Sequence, residues 1–177
     1  MGISLYDATV ATWLQIIKAA RAIIVKAQDH CAENGVDEKE LLASRLAPDM
    51  FALNWQIKAM SRHSRFALEG VRAGSFSPDP DPAAESFAEL LDQIDETIAF
   101  LNAVTPEEMD ALIGQDMAFI AGPRRLEFTA ENFLLSFSLP NFFFHATTAY
   151  DLLRQAGLPI GKLDFIGERR LKTPAAA

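Results

Sequence analysis

One apolar stripe near the start of the chain constrains the fold more than any other feature. Its residues are separated alternately by four and three positions: Tyr6, Val10, Trp13, Ile17, Ala20, Ile24, Ala27 and Cys31. This spacing keeps the side chains on one face of an α-helix of about seven turns. Ser4 is a suitable N-cap, and Asn34-Gly35 supplies the stop, because glycine accepts the left-handed conformation in which many helices end. Such a helix must bury its apolar face against other long helices.

Three more stretches have helical spacing of their apolar residues. The second helix is predicted over residues 48–71, the third over 84–103 and the last from 129 to 155. Pro140 lies inside the last helix and removes one backbone hydrogen bond, so we expect a kink or a restart there. Residues 73–84 (AGSFSPDPDPAA) contain three prolines and should form an exposed crossover between the second and third helices.

Shorter elements are predicted between the long helices. Residues 37–45 form a short connecting helix with Asp37 as its cap, and a second short helix begins at Thr105-Pro106 and ends at Gly114. Residues 117–120 and 124–128 change to the period of β-strands and should form a small hairpin.

These elements predict an all-α fold. We expect a four-helix bundle with a short extra helix and a small β-hairpin between the third and last helices. Residues 1–167 are predicted to form a single helical-bundle domain, and residues 168–177 a disordered C-terminal tail.

Composition restricts the partners and the compartment. The chain has 177 residues and a formal net charge of -8, so its surface should repel nucleic acid. Lys18, Arg21 and Lys26 interrupt the first apolar stretch, which argues against a signal peptide and against a membrane span. Cys31 is the only cysteine and cannot form an internal disulfide. We therefore predict a cytoplasmic protein with no membrane and no nucleic-acid partner.

A few polar residues fall on the apolar faces of the helices. Asn141 and His145 are four residues apart on the last helix, among several phenylalanines, while Gln56 and His63 lie beside the apolar seam of the second helix. Because a buried polar group without a partner costs about 1–3 kcal/mol, these four side chains should meet. They could form a metal or proton-transfer site between facing helices, or a polar network that sets the helix register.

Four segments carry a resemblance to a known family. They are SLYDATVATWLQ, LLASRLAPDMF, LPNFFFHATTAYDLLRQAG and IGKLDFIG. The chain resembles a bacterial and fungal branch of the DinB/YfiT-like superfamily of putative metalloenzymes, a branch known only as a domain of unknown function. The resemblance covers about residues 3–167 and implies a four-helix bundle that is often dimeric.

The resemblance also implies a set of metal ligands. Members of the superfamily typically hold a divalent metal with one histidine of the second helix and an HxxxH pair of the last helix. Here His63 and His145 match two of those ligands, but Asn141 stands four residues before His145 and Ala149 four after it. An amide in place of a third imidazole should weaken the binding of a transition metal.

Two functions are compatible with these features. We predict a homodimer, because the last helix carries more aromatic residues than one inner seam can use. We also predict a small-molecule pocket near His63 and His145, with no intact metal site. The alternative is a metal-dependent enzyme of the thiol S-transferase type, with a divalent metal bound by the same two histidines.

Overall fold

The structure is a computed structural model that describes residues 2–172, and it is mostly helical with a small sheet. The α-helices, in chain order, are α1 (Leu5–Ala8), α2 (Val10–Asn34), α3 (Glu38–Ala43), α4 (Leu53–Ser61), α5 (Ala67–Ala73), α6 (Phe87–Ala103), α7 (Pro106–Leu112), α8 (Ala130–Asn132), α9 (Leu139–Gln155) and α10 (Lys162–Ile166). The π-helical segments are π1 (Arg62–Phe66) and π2 (Phe133–Ser138), and the strands are β1 (Ser75–Phe76), β2 (Asp116–Ala121) and β3 (Arg124–Thr129).

The predicted first helix corresponds to α1 and α2. Both predicted ends are confirmed: the Ser4 hydroxyl accepts a hydrogen bond from the backbone of Asp7, and Gly35 adopts a left-handed conformation with φ of 65°. The run is broken once, at Thr9, whose hydroxyl donates to the carbonyl oxygen of Leu5. A hydroxyl that binds the preceding turn in this way commonly bends a helix.

The second helix begins later than the sequence predicts. Pro48 lies in a turn, and α4 starts only at Leu53, whose backbone N–H donates to the carbonyl oxygen of Ser44. The guanidinium of Arg45 donates to the carbonyl oxygen of Met50 and closes the same turn. The predicted start at Pro48 was wrong because these two hydrogen bonds hold the segment in a turn, and its polar groups find partners without a helix.

The third helix also begins later, at Phe87 rather than near residue 84. Its N-cap is Ser86, whose hydroxyl accepts a hydrogen bond from the backbone N–H of Glu89. The two short helices, α3 and α7, are capped by Asp37 and Thr105 as predicted.

Two of the long helical runs contain a π-helical segment. The second run passes from α4 through π1 into α5, and the last run passes from α8 through π2 into α9. The interruption predicted at Pro140 is confirmed, because the π-helical segment π2 ends and α9 begins directly before Pro140, which has no N–H to continue the regular ladder. The π-helical backbone itself was not predicted.

The fold is mostly helical as predicted, but its small sheet has three strands rather than the two of the predicted hairpin. The predicted hairpin is confirmed as β2 and β3, which pair antiparallel around Gly122. The added strand is β1, in which Ser75 and Phe76 pair in parallel with Ala118 and Phe119. Sequence reasoning placed these residues in an exposed crossover, and a strand of two residues is too short for period-based prediction.

The core lies between the long helices. Helix α4 packs on α9, while α2 packs on both α6 and α9. The helical run Leu5–Asn34 is long and apolar enough to cross a membrane by length and composition. However, Trp13, Ile17 and Ala27 on its apolar stripe are fully or almost fully buried in the core, as expected for the central helix of a globular protein.

The C-terminal segment closes against the first helix. The Gln15 amide donates to the carbonyl oxygen of Ile166, and Gly167 lies directly on Ala19. Residues 168–172 contain no helix or strand, although Arg170 donates to the carbonyl oxygen of Asp7. Residues 173–177 of the predicted disordered tail lie outside the described residues.

Candidate functional site

His63 lies in π1, where the regular helical backbone is interrupted. Its backbone angles, φ of -95° and ψ of 18°, differ from those of an α-helix. A π-helical turn breaks the local hydrogen-bond ladder, and such turns are frequent at functional sites. The carbonyl oxygen of His63 accepts a hydrogen bond from the hydroxyl of Ser138, 3.1 Å away at the end of π2. The two π-helical segments therefore face each other across the helix interface.

His145 lies on α9 and is 8% exposed. Its Nδ1 is 2.7 Å from Oε1 of Gln56, which is itself buried on α4. The Nε2 of Gln56 donates to the carbonyl oxygen of Phe51 at 2.9 Å. The buried amide thus has a partner at both ends and links the turn before α4 to the imidazole on α9.

The two imidazole rings lie side by side. The centroids of His63 and His145 are 5.6 Å apart, with an angle of 11° between the ring planes. Burial lowers the pKa of His63 to about 3, and the neighbouring His145 and Arg62 contribute to the same shift. Burial also lowers the pKa of His145 to about 4. Both rings are therefore neutral at pH 7.

Asn141 lines the same space but is turned toward its own helix. Its Nδ2 donates to the carbonyl oxygen of Phe137 at 2.7 Å, one turn back. The structure therefore brings Gln56, His63 and His145 into one cluster, and places Asn141 at the wall beside them.

A cavity of about 250 Å³ opens beside the two histidines. Its walls come from α4, π1, the segment around β1, β2, π2 and α9. The lining residues, besides His63, Asn141 and His145, are Phe51, Trp55, Ala59, Arg62, Phe76, Pro78, Asp79, Phe119 and Phe137. Five of these nine are aromatic, so the cavity is largely apolar, with polar groups at the two imidazoles, at Asn141 and at the rim formed by Arg62 and Asp79.

The chain matches a known protein family over almost its whole length. Residues 5–166 match the family described as Domain of unknown function (DUF1993). The chain belongs to the DUF1993 family. This result confirms the predicted branch, and the fold agrees: the crystal structure of a DinB family member protein from Shewanella denitrificans, at 1.83 Å resolution, is 28% identical with a TM-score of 0.79 over 96% of each chain. No curated protein matches this chain.

The rim of the cavity in this DUF1993 protein carries a charged cluster. Asp79 forms an ion pair with Lys58 at 2.8 Å and lies 3.8 Å from Arg62. The Arg62 guanidinium also donates to the carbonyl oxygen of Ser77 and lies over the ring of Phe76. Burial raises the pKa of Asp79, but the hydrogen bonds from Lys58 and from the backbone of Asp81, together with the charges of Lys58 and Arg62, outweigh burial and lower the pKa. These contacts attach the proline-rich segment to α4 and π1, and they close one side of the cavity.

The metal ligands that the resemblance to the DinB/YfiT-like superfamily implies are only partly present in this chain. At the three positions that match the superfamily's ligands, His63 and His145 supply imidazoles and Asn141 supplies an amide. Within residues 2–172 no group of three or more His, Cys, Asp or Glu side chains is placed to hold a metal ion. This donor set does not fit a three-ligand metal centre. The alternative prediction, a metal-dependent thiol S-transferase, is therefore not favoured.

Sequence reasoning missed most of the wall of the cavity. It assigned the tryptophans and phenylalanines to packing, and Trp13 is indeed buried in the core. Trp55, in contrast, lies at the cavity and stacks on Phe51, with ring centroids 5.0 Å apart. Arg62 and Asp79 were not singled out at all. The only local signal was that Arg62 directly precedes His63, because the other contacts depend on how the crossover folds back.

Proposed function

We propose that this protein binds a small, largely apolar molecule in the cavity between α4 and α9, in contact with His63 and His145. The observation that carries the proposal is an aromatic cavity with two neutral imidazoles and few other polar groups. Ligand sites are typically concave and apolar, with a small number of placed polar groups.

The size of the cavity supports a ligand built on one ring. An apolar protein cavity of about 150 Å³ binds benzene, so a cavity of about 250 Å³ can accommodate a substituted benzene. Water in this space finds few hydrogen-bond partners along the walls formed by Phe76, Phe119 and Phe137, and its displacement by an apolar group favours binding.

Titration of the protein with toluene, benzamide and benzoate, followed through the backbone and Trp55 side-chain NMR signals, tests this function. We expect saturable shifts at Trp55 and the other lining residues. Ala59→Phe places a ring in the cavity and should abolish them, whereas Ala111→Phe, at an exposed site on α7, should not. Absence of saturable binding, or equal binding by both variants, would refute the proposal.

The proposed binding does not require a metal. Among the residues that the structure describes, no third histidine, cysteine or carboxylate is placed with the two imidazoles to hold a metal ion, which supports this part of the proposal. Dialysis after titration with zinc, nickel and manganese, followed by elemental analysis, provides the test. One ion retained per chain in the wild type, and lost in His145→Ala, would contradict it.

We further propose that the protein is a homodimer. Phe51 and Phe144 are 54% and 55% exposed and lie on one depression beside the cavity, where a second copy could cover them. Sedimentation equilibrium at micromolar concentration should give a dimer. Phe144→Ser should weaken it, and Ile113→Ser, at a residue of similar exposure on another surface, should not. A monomeric wild type would remove this part of the proposal.

We also propose an architecture and a cellular location for the protein. The likeness to the DinB family member supports a four-helix bundle formed by the runs 5–34, 53–73, 87–103 and 130–155, within one domain over residues 1–167. The net charge of -8 supports a cytoplasmic protein with neither a nucleic-acid nor a membrane partner.

A further inference from the structure

The Gln56 amide determines which nitrogen of His145 carries the proton. Its Nε2 donates to the carbonyl oxygen of Phe51, and a carbonyl can only accept. The other end of the amide, Oε1, is therefore the atom that meets Nδ1 of His145 at 2.7 Å. Because Oε1 is also only an acceptor, Nδ1 of His145 must be the donor.

The remaining nitrogen of His145 is consequently an acceptor. A neutral imidazole carries a single proton, and in His145 that proton is on Nδ1. Its Nε2 therefore has a free lone pair, and the ring lines the cavity. A hydrogen bond that fixes the proton on one ring nitrogen leaves the other nitrogen free to bind a ligand. Proteins commonly orient functional histidines in this way.

His63 has the opposite arrangement. Its Nδ1 is buried and has no hydrogen-bond partner within the part of the chain that the structure describes. A buried N–H without an acceptor is rarer in proteins than an unused lone pair, so the proton belongs on Nε2. The His63 ring lines the same cavity, and Nε2–H is the donor that it can offer there.

We infer that the cavity recognises an uncharged group that carries both a donor and an acceptor, with a primary carboxamide on an apolar ring as the best match. The acceptor Nε2 of His145 would receive the amide N–H, and the Nε2–H of His63 would donate to the amide oxygen. The ring centroids are 5.6 Å apart, close enough for one small group to contact both rings. The inference rests on the proposed function, because it names the ligand of the same cavity.

The contacts of the charged side chains at the rim favour a neutral ligand over a carboxylate. Arg62 lies beside Asp79, and its guanidinium is also engaged by the carbonyl oxygen of Ser77. Lys58, the second cation of this cluster, is held by Asp79 and by the carbonyl oxygens of Asp81 and Pro82, so each cation already has acceptors within the protein. A carboxylate would have to leave water and would find only one donor at the two imidazoles, with a lone pair of His145 facing it.

The protonated nitrogens can be measured without any ligand. In the full chain at pH 7, long-range ¹H–¹⁵N spectra should show the Nδ1–H form for His145 and the Nε2–H form for His63, assigned with His30→Gln and His145→Gln. Gln56→Leu should shift His145 toward the Nε2–H form that free histidine prefers, and Gln56→Glu, which retains an acceptor, should preserve the Nδ1–H bond. The Nε2–H form for His145 in the wild type would overturn the inference.

The ligand class is tested with the three probes named above. Benzamide should bind at least tenfold more tightly than toluene and than benzoate, and His145→Leu should reduce that preference over toluene to less than threefold. If toluene binds as tightly as benzamide, or benzoate more tightly, the inference is refuted while the proposed function stands. If none of the three binds, both fail, and the imidazole spectra still report separately on the hydrogen-bond arrangement.

Discussion

Ser138 and His63 join the two π-helical segments through one hydrogen bond. The Ser138 hydroxyl, in a fully buried side chain, donates to the carbonyl oxygen of His63 at 3.1 Å. The π-helical backbone disrupts the regular ladder around His63, and this hydroxyl gives its carbonyl oxygen a partner from the last helical run. The position of the His63 ring therefore depends on a residue 75 positions away.

Removal of this hydroxyl should destabilise the protein. Ser138→Ala leaves a buried carbonyl oxygen without its partner, and we expect a loss of about 1–3 kcal/mol in the free energy of unfolding, measured by urea denaturation. Ser136→Ala is the matched control, because the exposed Ser136 hydroxyl binds only the carbonyl of Asn132 within its own helix. Equal losses in the two variants would show that the link between the segments contributes no stability.

The histidine pair should make stability depend on pH. A histidine in the unfolded chain has a pKa near 6.5, whereas burial lowers the pKa of His63 to about 3 and that of His145 to about 4. Between pH 6.5 and about pH 4 the unfolded chain binds more protons than the folded protein does. The free energy of unfolding therefore falls as the pH falls below 6.5. We expect a loss of about 2 kcal/mol for each histidine between pH 7 and pH 5.

Urea denaturation at pH 7, 6 and 5 measures this dependence. His63→Gln and His145→Gln should each remove about half of it. Carboxylates with lowered pKa, such as Asp79 and Asp95, lose their contribution only below about pH 4, outside this window. A wild-type protein that is equally stable at pH 7 and pH 5 would contradict the buried, neutral state of the pair.

The ion pair at the cavity rim should matter more than an exposed one. In the pair between Lys58 and Asp79 the side chains are only 10% and 15% exposed, whereas those of Arg21 and Asp95 are 41% and 46% exposed. We expect Asp79→Asn to cost about 2 kcal/mol, because it leaves a poorly solvated ammonium without its counter-ion. Asp95→Asn should cost less than about 1 kcal/mol.

Hydrogen exchange should locate the effect of Asp79→Asn. The Lys58 ammonium also donates to the carbonyl oxygens of Asp81 and Pro82, so the variant should loosen residues 76–86 more than α4. Unchanged exchange in that segment, together with unchanged stability, would show that the ion pair does not hold the crossover.

Gly167 should not tolerate a side chain. It has φ of 64° and ψ of -148°, and an added Cβ would lie 2.8 Å from the Cβ of Ala19. Backbone strain in this region costs about 1–3 kcal/mol before the clash is counted. Gly167→Ala should therefore destabilise the protein and increase hydrogen exchange in α10.

Gly35→Ala is the control for backbone strain alone. Gly35 has φ of 65° and ψ of 28°, and an added Cβ meets nothing within 4 Å, so we expect a loss of about 1 kcal/mol. If Gly167→Ala costs no more than Gly35→Ala in urea denaturation, the close contact of the C-terminal segment with α2 is wrong.

Local signals predicted the secondary structure well where the elements are long or strongly capped. The stop at Gly35, the caps at Asp37 and Thr105 and the restart at Pro140 each depend on a few adjacent residues. The start at Pro48 was wrong because a hydrogen bond to the carbonyl oxygen of Ser44 and one from the guanidinium of Arg45 hold that segment as a turn. Strand β1 was missed because its partner, β2, lies some forty positions further along the chain.

The sequence by itself determined which residues face the interior, because helical periodicity is a local property: Gln56, His63, Asn141 and His145 could be nominated from spacing alone. Only the tertiary structure decided how they meet. Gln56 reaches His145 across 89 positions, Asn141 turns to its own helix, and aromatic residues from the crossover and the sheet complete the wall of the cavity. Such contacts depend on the packing of whole elements, and the spacing of residues within a single element carries no information about them.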